Sequence, residues 1–482
     1  MHDQPATPDA RTEHDSMGHM EVPSDALYGA TTQRAVMNFP IKGEPVTWNV
    51  IHAFLLVKRS AAEANRTLGK LDPELAGHII TACDGMLAEL EDPDRREAAM
   101  AHFPVDVYQT GSGTSTNMNT NEVIANLVAT ATGGAIGSHD PVHPNDHVNM
   151  GQSSNDTFPT AMNVACALAL RDRLVPALET LAGSLERKAT EFDDVVKIGR
   201  THLQDATPIR LGQEFSGFAA QVRYGVDRCL QAMRELAGNL AIGGTAVGTG
   251  INTHPRFAGL VTGSLSEATG VEFGEAANHF EAQSAIDSMV DAHARLKTVA
   301  VSLSVISSNI RLMACGPRCG LNELVLPAVQ PGSSIMPGKV NPVILESAMQ
   351  VCMKVVGNDG TIALAGMGGL GSLLNLNVAL PLAATTTLES ILLLASSAEN
   401  LAARCIDGLS ANTDSIQALV ERSLMLGTAL VPALGYNESA RIAKACHETG
   451  QTIREYCLEH GLLDADQLDE LLDVSSMTHP HD

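Results

Sequence analysis

The 482-residue chain has no excess of positive charge, since 31 Lys and Arg stand against 55 Asp and Glu for a net charge of −24. That balance argues against a nucleic-acid or anionic-membrane partner and leaves small-molecule chemistry or protein contacts. The nine cysteines contain no CxxC pair, and Cys315 and Cys319 have no matching second pair. Neither a zinc site nor a disulfide framework follows, and a reducing cytoplasm fits. The opening MHDQPATPDARTEHDS has neither the apolar core of a secretory signal nor the Arg-rich, acid-poor character of a transit peptide. Its first dozen residues read as a disordered tail. Internal repeats and low-complexity tracts are absent, and strand-like alternation is scarce. Charge is missing altogether between Asp359 and Glu389, a membrane-span length. Five glycines, Pro381, Asn375 and Asn377 interrupt that segment and no basic flank borders it, so it reads as helix, break and helix buried inside an oligomer.

What is present is helical periodicity, over roughly 160–192, 212–237, 284–313, 343–365 and 383–405. In the third of these, Ile286, Met289, Val290, Leu296, Val299, Leu303 and Ile306 recur at three- and four-residue steps. Such a run makes an amphipathic rod about 40 Å long, and several rods make a bundle. The expectation is a mostly all-α chain with an N-terminal domain over 1–150, a long central helical bundle over 151–410 and a small helical C-terminal domain over 411–482. Polar segments fall between the rods: GSGTSTNMNTNE (111–122), HPNDHVNMGQSSND (143–156), GRTHLQDATP (199–208) and GSSIMPGKVNP (332–342). Rigid scaffolds present binding sites on loops of this kind.

Two glycine-rich stretches carry little. GMGGLG (366–371) follows no clear strand, and GGTAVGTGIN (243–252) lacks the ending of a phosphate loop. The latter reads as a turn between helices. His139, His143 and His147 have metal-ligand spacing on a helix, but Pro141 and Pro144 break that helix, leaving polar loop residues with a possible anion contact. Ser153, Ser154 and Asn155 precede a helix expected near Pro159, where they suit either capping or a carboxylate. Thr201 and His202 follow Arg200 in a loop opening toward a helix at Gly212. In GSSIMPGKVNP the glycines and prolines describe a flap with defined ends, carrying Ser333 and Ser334. Lys339, one of nine lysines, and Asn341 suit negative charge growing on a carboxylate as its α-proton leaves.

GSSIMPGKVNP resembles the signature of the fumarase/aspartase superfamily, and the other three polar segments are similar to that family's remaining active-site segments. The resemblance runs from EHDSMG at residue 13 to the end. GSGT (111–114), SSN (153–155), TQR (32–34) and SLMLGTAL (423–430) are closest to its class II fumarate hydratase branch. The family implies a homotetramer of three-domain subunits with active sites shared among three subunits, a small dicarboxylate substrate, and neither metal nor other cofactor. The implied reaction is the interconversion of fumarate and L-malate by anti addition or elimination of water through an aci-carboxylate; the alternative is aspartate ammonia-lyase. Carried over by position, Ser333 is implied as the base, and His202 with Glu346 as the pair that polarises water. Ser112, Thr114, Ser153, Ser154, Asn155, Thr201, Ser334, Lys339 and Asn341 are implied as substrate contacts, and His143, Asn145 and Asp146 as a secondary anion site. A non-catalytic relative retained for binding is disfavoured by the presence of Ser333, Lys339, Asn341 and His202 together.

Overall fold

A computed structural model describes residues 9–480. The chain is mostly helical, and among the described residues eight short strands pair as four two-stranded antiparallel sheets. Two compact units are formed, one from Met1–Val175, Asp227–Thr298 and Lys354–Leu394, the other from Pro176–Val226, Val299–Met353 and Ala395–Asp482. The long helices Leu211–Ala237, Asp287–Met313, Val343–Gly366 and Leu380–Leu401 each contribute residues to both.

The helices fall where periodicity places them. In Asp287–Met313, Met289, Leu296, Val299, Leu303 and Ile306 are buried, as is Ile286 just ahead of it, whereas Val290 is only half-buried. The charge-free segment forms the end of one helix, a hairpin pairing Ser372–Leu373 with Leu376–Asn377, and the start of the next. The apolar helical stretch Leu380–Ile406 is long enough to cross a bilayer, but 67% of its most apolar window is buried within the protein. That is the behaviour of a core helix.

Three local expectations change. The expected tail lies partly outside the described residues, and where it is described, Ala10–Asp15 forms a strand paired with Gly18–Pro23. Arg11 and Glu13 are ion-paired there, and Glu13 accepts the N–H of Ala30, so the strand is tied to the helix Ala30–Asn38. The helix expected near Pro159 begins at Ser154, because Ser153 and Asp156 form a reciprocal capping box one turn earlier. Pro159 sits inside the helix and deprives only the Asn155 carbonyl of its donor. Finally, the segment read as a loop around Thr201 is a β-hairpin of Val196–Thr201 and Gln204–Arg210.

In the second unit the C-terminal helices close over Leu426, Leu430, Ile442, Cys446, Ile453, Tyr456, Cys457 and Leu468.

Candidate active site

In the first unit, two helix N-termini bring the expected hydroxyl residues together. Gly113 caps the helix Thr114–Ala131 in the left-handed region at φ +72°. A β-carbon there would lie 1.8 Å from the Phe158 ring, itself fixed edge-on against Phe54 at 5.4 Å. Glycine is therefore required on both conformational and steric grounds. Beside it, Ser112 Oγ and Thr114 Oγ1 are hydrogen-bonded at 2.8 Å, and Thr114 Oγ1 and Ser154 Oγ at 2.7 Å. Ser154 and Asn155 open the helix Ser154–Ala169, Ser153 is its cap, and the Asn155 amide donates to the Ala246 carbonyl at 2.8 Å. A row of hydroxyls thus lies across the positive ends of two helix dipoles, a setting suited to carboxylate oxygens.

The row rests on Asp156, which is fully buried. One of its oxygens accepts the Ser153 N–H at 2.9 Å, and the other accepts those of Gly243 and Thr245 at 3.0 and 2.8 Å. Burial pushes its pKa up while these donors oppose the shift. The glycine-rich stretch 243–252 is accordingly more than a spacer, because Asp156 and Asn155 clamp its start to the serine-bearing helix.

Asn145 and Asp146 lie in the same unit on a π-helical turn, Pro144–Val148, which His143 caps. The His143 ring accepts the N–H groups of Asn145 and Asp146, and Asp146 Oδ2 lies 3.4 Å from His143 Nδ1. His143 also donates its backbone N–H to His147 Nδ1 at 2.9 Å. No cluster of three or more metal-ligating side chains occurs among the described residues.

In the second unit, the sequence GSSIMPGKVNP is an exposed loop with a closed neck. Gly332 N–H donates to the Lys339 carbonyl at 2.7 Å, and the Asn341 amide donates to the Gly332 carbonyl at 2.6 Å. A β-carbon on Gly332 would approach Lys339 O within 2.7 Å. Inside the loop, Ser333 Oγ accepts the backbone N–H groups of Ile335 and Met336 at 3.2 and 3.0 Å. Ser334 and Lys339 are exposed, as is Ile335 at 84%.

Thr201 ends one hairpin strand, and His202 occupies the exposed tip with Leu203, at φ +58° and +60°. The base of this hairpin is held by fully buried Glu323, which lies 2.7 Å from Arg200 and 3.2 Å from buried Lys197. Glu346 stands in the first turn of Val343–Gly366. Within the described chain no hydrogen bond or ion pair joins it to His202.

Comparison with known proteins decides the family. A lyase family model matches residues 18–357, and a fumarase C C-terminal model matches residues 426–479. The chain is 49% identical over 468 residues to the class II fumarate hydratase of Nitrosomonas europaea, covering 97% of this chain and 99% of that one. It is 50% identical to the Halobacterium salinarum class II enzyme, with coverage of 98% and 97%. The chain belongs to the class II fumarate hydratase family. Among solved structures it is similar to the class II fumarase of Schistosoma mansoni, with a TM-score of 0.92, 37% identity and coverage of 98% and 100%. A fumarate lyase:delta crystallin from Brucella melitensis bound to cobalt also matches, with a TM-score of 0.92 and 43% identity over 98% of this chain.

Sequence reasoning singled out the hydroxyls and the GSSIMPGKVNP loop of this class II fumarate hydratase family member but passed over Asp156 and the buried Lys58. The signals existed. Asp156 completes a Ser-x-x-acid capping box, and Lys58 follows Phe54 by four residues on the buried face of the helix Trp48–Thr67.

Proposed function

We infer that the protein is a fumarate hydratase, a hydro-lyase interconverting fumarate and L-malate, with Ser333 as the base that takes the C3 proton of malate. As that proton moves to Ser333 Oγ, the C–H electrons enter the adjoining carboxylate to give an aci-carboxylate. Their return forms the C2–C3 double bond and expels the C2 hydroxyl, which takes up a proton and leaves as water. A serine hydroxyl is a weak base, so its ionised form needs donors that favour it. The observation that carries this role is the pair of backbone N–H groups, from Ile335 and Met336, aimed at Ser333 Oγ. Lys339 and Asn341 hold the carboxylate on which charge grows, with Ser334 beside the base. The hydroxyl row of Ser112, Thr114 and Ser154, with Ser153, Asn155 and Thr201, binds the substrate's remaining oxygens. His202 and Glu346 polarise the water. His143, Asn145 and Asp146, on their own turn, form a secondary anion site.

Among the described residues neither the His202 nor the Glu346 side chain has a hydrogen-bond or ion-pair partner, which supports a site completed by other copies. Unsatisfied apolar faces support the same reading. Val301, Val305 and Leu312 are 51, 42 and 40% exposed along one stripe of Asp287–Met313, and Met353, Val356 and Leu364 are 66, 44 and 53% exposed along Val343–Gly366. Stripes of this kind on long helices are the material of helix–helix interfaces. The assembly is a homotetramer whose sites draw on three subunits, each with the three-part organisation of 1–150, 151–410 and 411–482. Its nine cysteines are all unbridged, in keeping with the cytoplasm.

The test is loss of fumarate absorbance in ammonium-free buffer with malate as product. Turnover that requires ammonium would instead establish aspartate ammonia-lyase, the reading that the matched relatives do not favour.

A further inference from the structure

Lys58 has no part in the reaction described above, yet it is a fully buried cation, with 0% of its surface exposed. Its ammonium donates three hydrogen bonds, to Asn117 Oδ1 at 2.8 Å, Asn149 Oδ1 at 2.9 Å and Gln152 Oε1 at 3.0 Å. An ammonium has three N–H groups, so the cage satisfies it completely. All three acceptors are neutral amides. A lysine buried for structure alone is normally paired with a carboxylate, because an uncompensated charge in the interior is costly. Here the hydrogen bonds are made and the charge is left in place.

The cage sits beside the hydroxyl row. Asn117 lies in the first turn of Thr114–Ala131, and Gln152 immediately precedes Ser153, the cap of Ser154–Ala169. The amides are themselves fixed. Asn149 Oδ1 also accepts from Asn117 and Asn121 at 3.2 and 3.3 Å, and the Gln152 amide donates to the Val148 and Met150 carbonyls at 3.0 and 3.2 Å. Asn65, about two helical turns beyond Lys58 on the same helix, donates to the Met150 carbonyl at 2.9 Å. The turn 149–152 is thus anchored at both ends to the helix that carries the lysine.

We propose that Lys58 is a positioning residue: its amide cage sets the register of Ser153–Asn155 against Thr114, and its positive charge, which no carboxylate contacts directly, adds to the two helix dipoles to hold the dianionic substrate. Burial lowers its pKa to about 7, with Asp156 acting in the opposite direction, and a dianion nearby favours the charged form further. In a chain of net charge −24 such a fixed local cation offsets the general repulsion of a dicarboxylate.

The inference rests on the fumarate hydratase reading, and a pair of substitutions separates charge from packing. Gln152→Glu keeps the hydrogen bond to Lys58 and cancels the charge while giving up the two hydrogen bonds that the amide donates to the Val148 and Met150 carbonyls; Gln152→Met gives up the same two and leaves the charge. The expected result is a KM for fumarate and for malate raised roughly tenfold in Gln152→Glu but not in Gln152→Met, kcat within about twofold, and a lower Tm in both. The affinity for succinate, a dicarboxylate that cannot react, falls by the same factor in calorimetry. Lys58→Met, which removes both charge and cage, raises KM as well and lowers Tm. A Gln152→Glu protein with wild-type KM and wild-type succinate affinity overturns the proposal. If the unsubstituted protein does not hydrate fumarate, the underlying reading fails instead.

Discussion

Asp156→Asn isolates the clamp beneath the hydroxyl row. The carboxylate gives one oxygen to Ser153 N–H and to Thr157 Oγ1, and the other to the N–H groups of Gly243 and Thr245. An asparagine has one oxygen, so in either orientation its NH2 group faces a pair of donors. In the less damaging orientation the Ser153 side is kept, and two buried backbone N–H groups on the glycine-rich stretch lose their acceptor. Each orphaned donor costs about 1–3 kcal/mol, or about 2–6 kcal/mol for the pair. Removing a buried charge returns part of that, leaving a net loss of about 2–4 kcal/mol, a large share of a typical stability. The stretch beginning at Gly243 also positions the Ala246 carbonyl that anchors Asn155. The variant therefore shows a lower Tm, faster amide exchange confined first to residues 243–252, and a higher KM for both substrates. Wild-type exchange in that segment, together with wild-type KM, would refute the assignment of Asp156 as the clamp.

Ser333→Ala removes the base while leaving the loop neck at Gly332, Lys339 and Asn341 intact, so kcat falls by about 10²–10⁴-fold with no change in oligomeric state by light scattering. Near-normal turnover would take the base role from Ser333. A second expectation concerns pH. His293 is wholly buried between Ser390 and Asp359, and burial lowers its pKa below that of the unfolded chain. The unfolded chain binds that proton more readily, and stability falls as pH drops below about 6.5. Burial alone would raise the Asp359 pKa, but hydrogen bonds from Lys297 and His293 hold it below the usual carboxylate range. Its contribution is lost in the same direction, at lower pH. His293→Asn flattens the Tm profile between pH 6.5 and 5, and an unchanged slope there would remove His293 as the cause.

The helices were legible because their apolar residues repeat at the helical period and tertiary packing agrees with it. Where the sequence misled, a local signal had a competitor. Pro159 reads as a helix start, but the Ser153–Asp156 capping box acts first and the proline is tolerated within the helix. The hairpin of Val196–Thr201 and Gln204–Arg210 turns on His202 and Leu203, neither of them the Gly or Asn that normally announces positive φ. Its first strand is held from a distance by Glu323, through Lys197 and Arg200. The strand Ala10–Asp15 looked like a polar tail because its reasons to fold, the partner strand and the N–H of Ala30, lie outside its own residues.

The site divides along the same line. Hydroxyls at helix N-termini are visible in sequence because capping and anion binding favour the same residues, as Ser153 and Ser154 illustrate. A buried cation is not visible in this way, since a single lysine in an apolar helix reads equally well as one reaching for solvent. The proposed pairing of His202 with Glu346 is a further step removed. His202 is held at an exposed tip by a buried ionic base, a costly arrangement for a residue with nothing to meet. Glu346 begins a helix whose later turns expose Met353, Val356 and Leu364. A rigid hairpin presenting an unpartnered histidine, and a helix presenting both an acid and an apolar stripe, are intelligible together if copies of the chain complete one another. Chemistry assembled in that way depends on no spacing within a single sequence, so the residue types at such a site can be read from the chain while their pairing cannot.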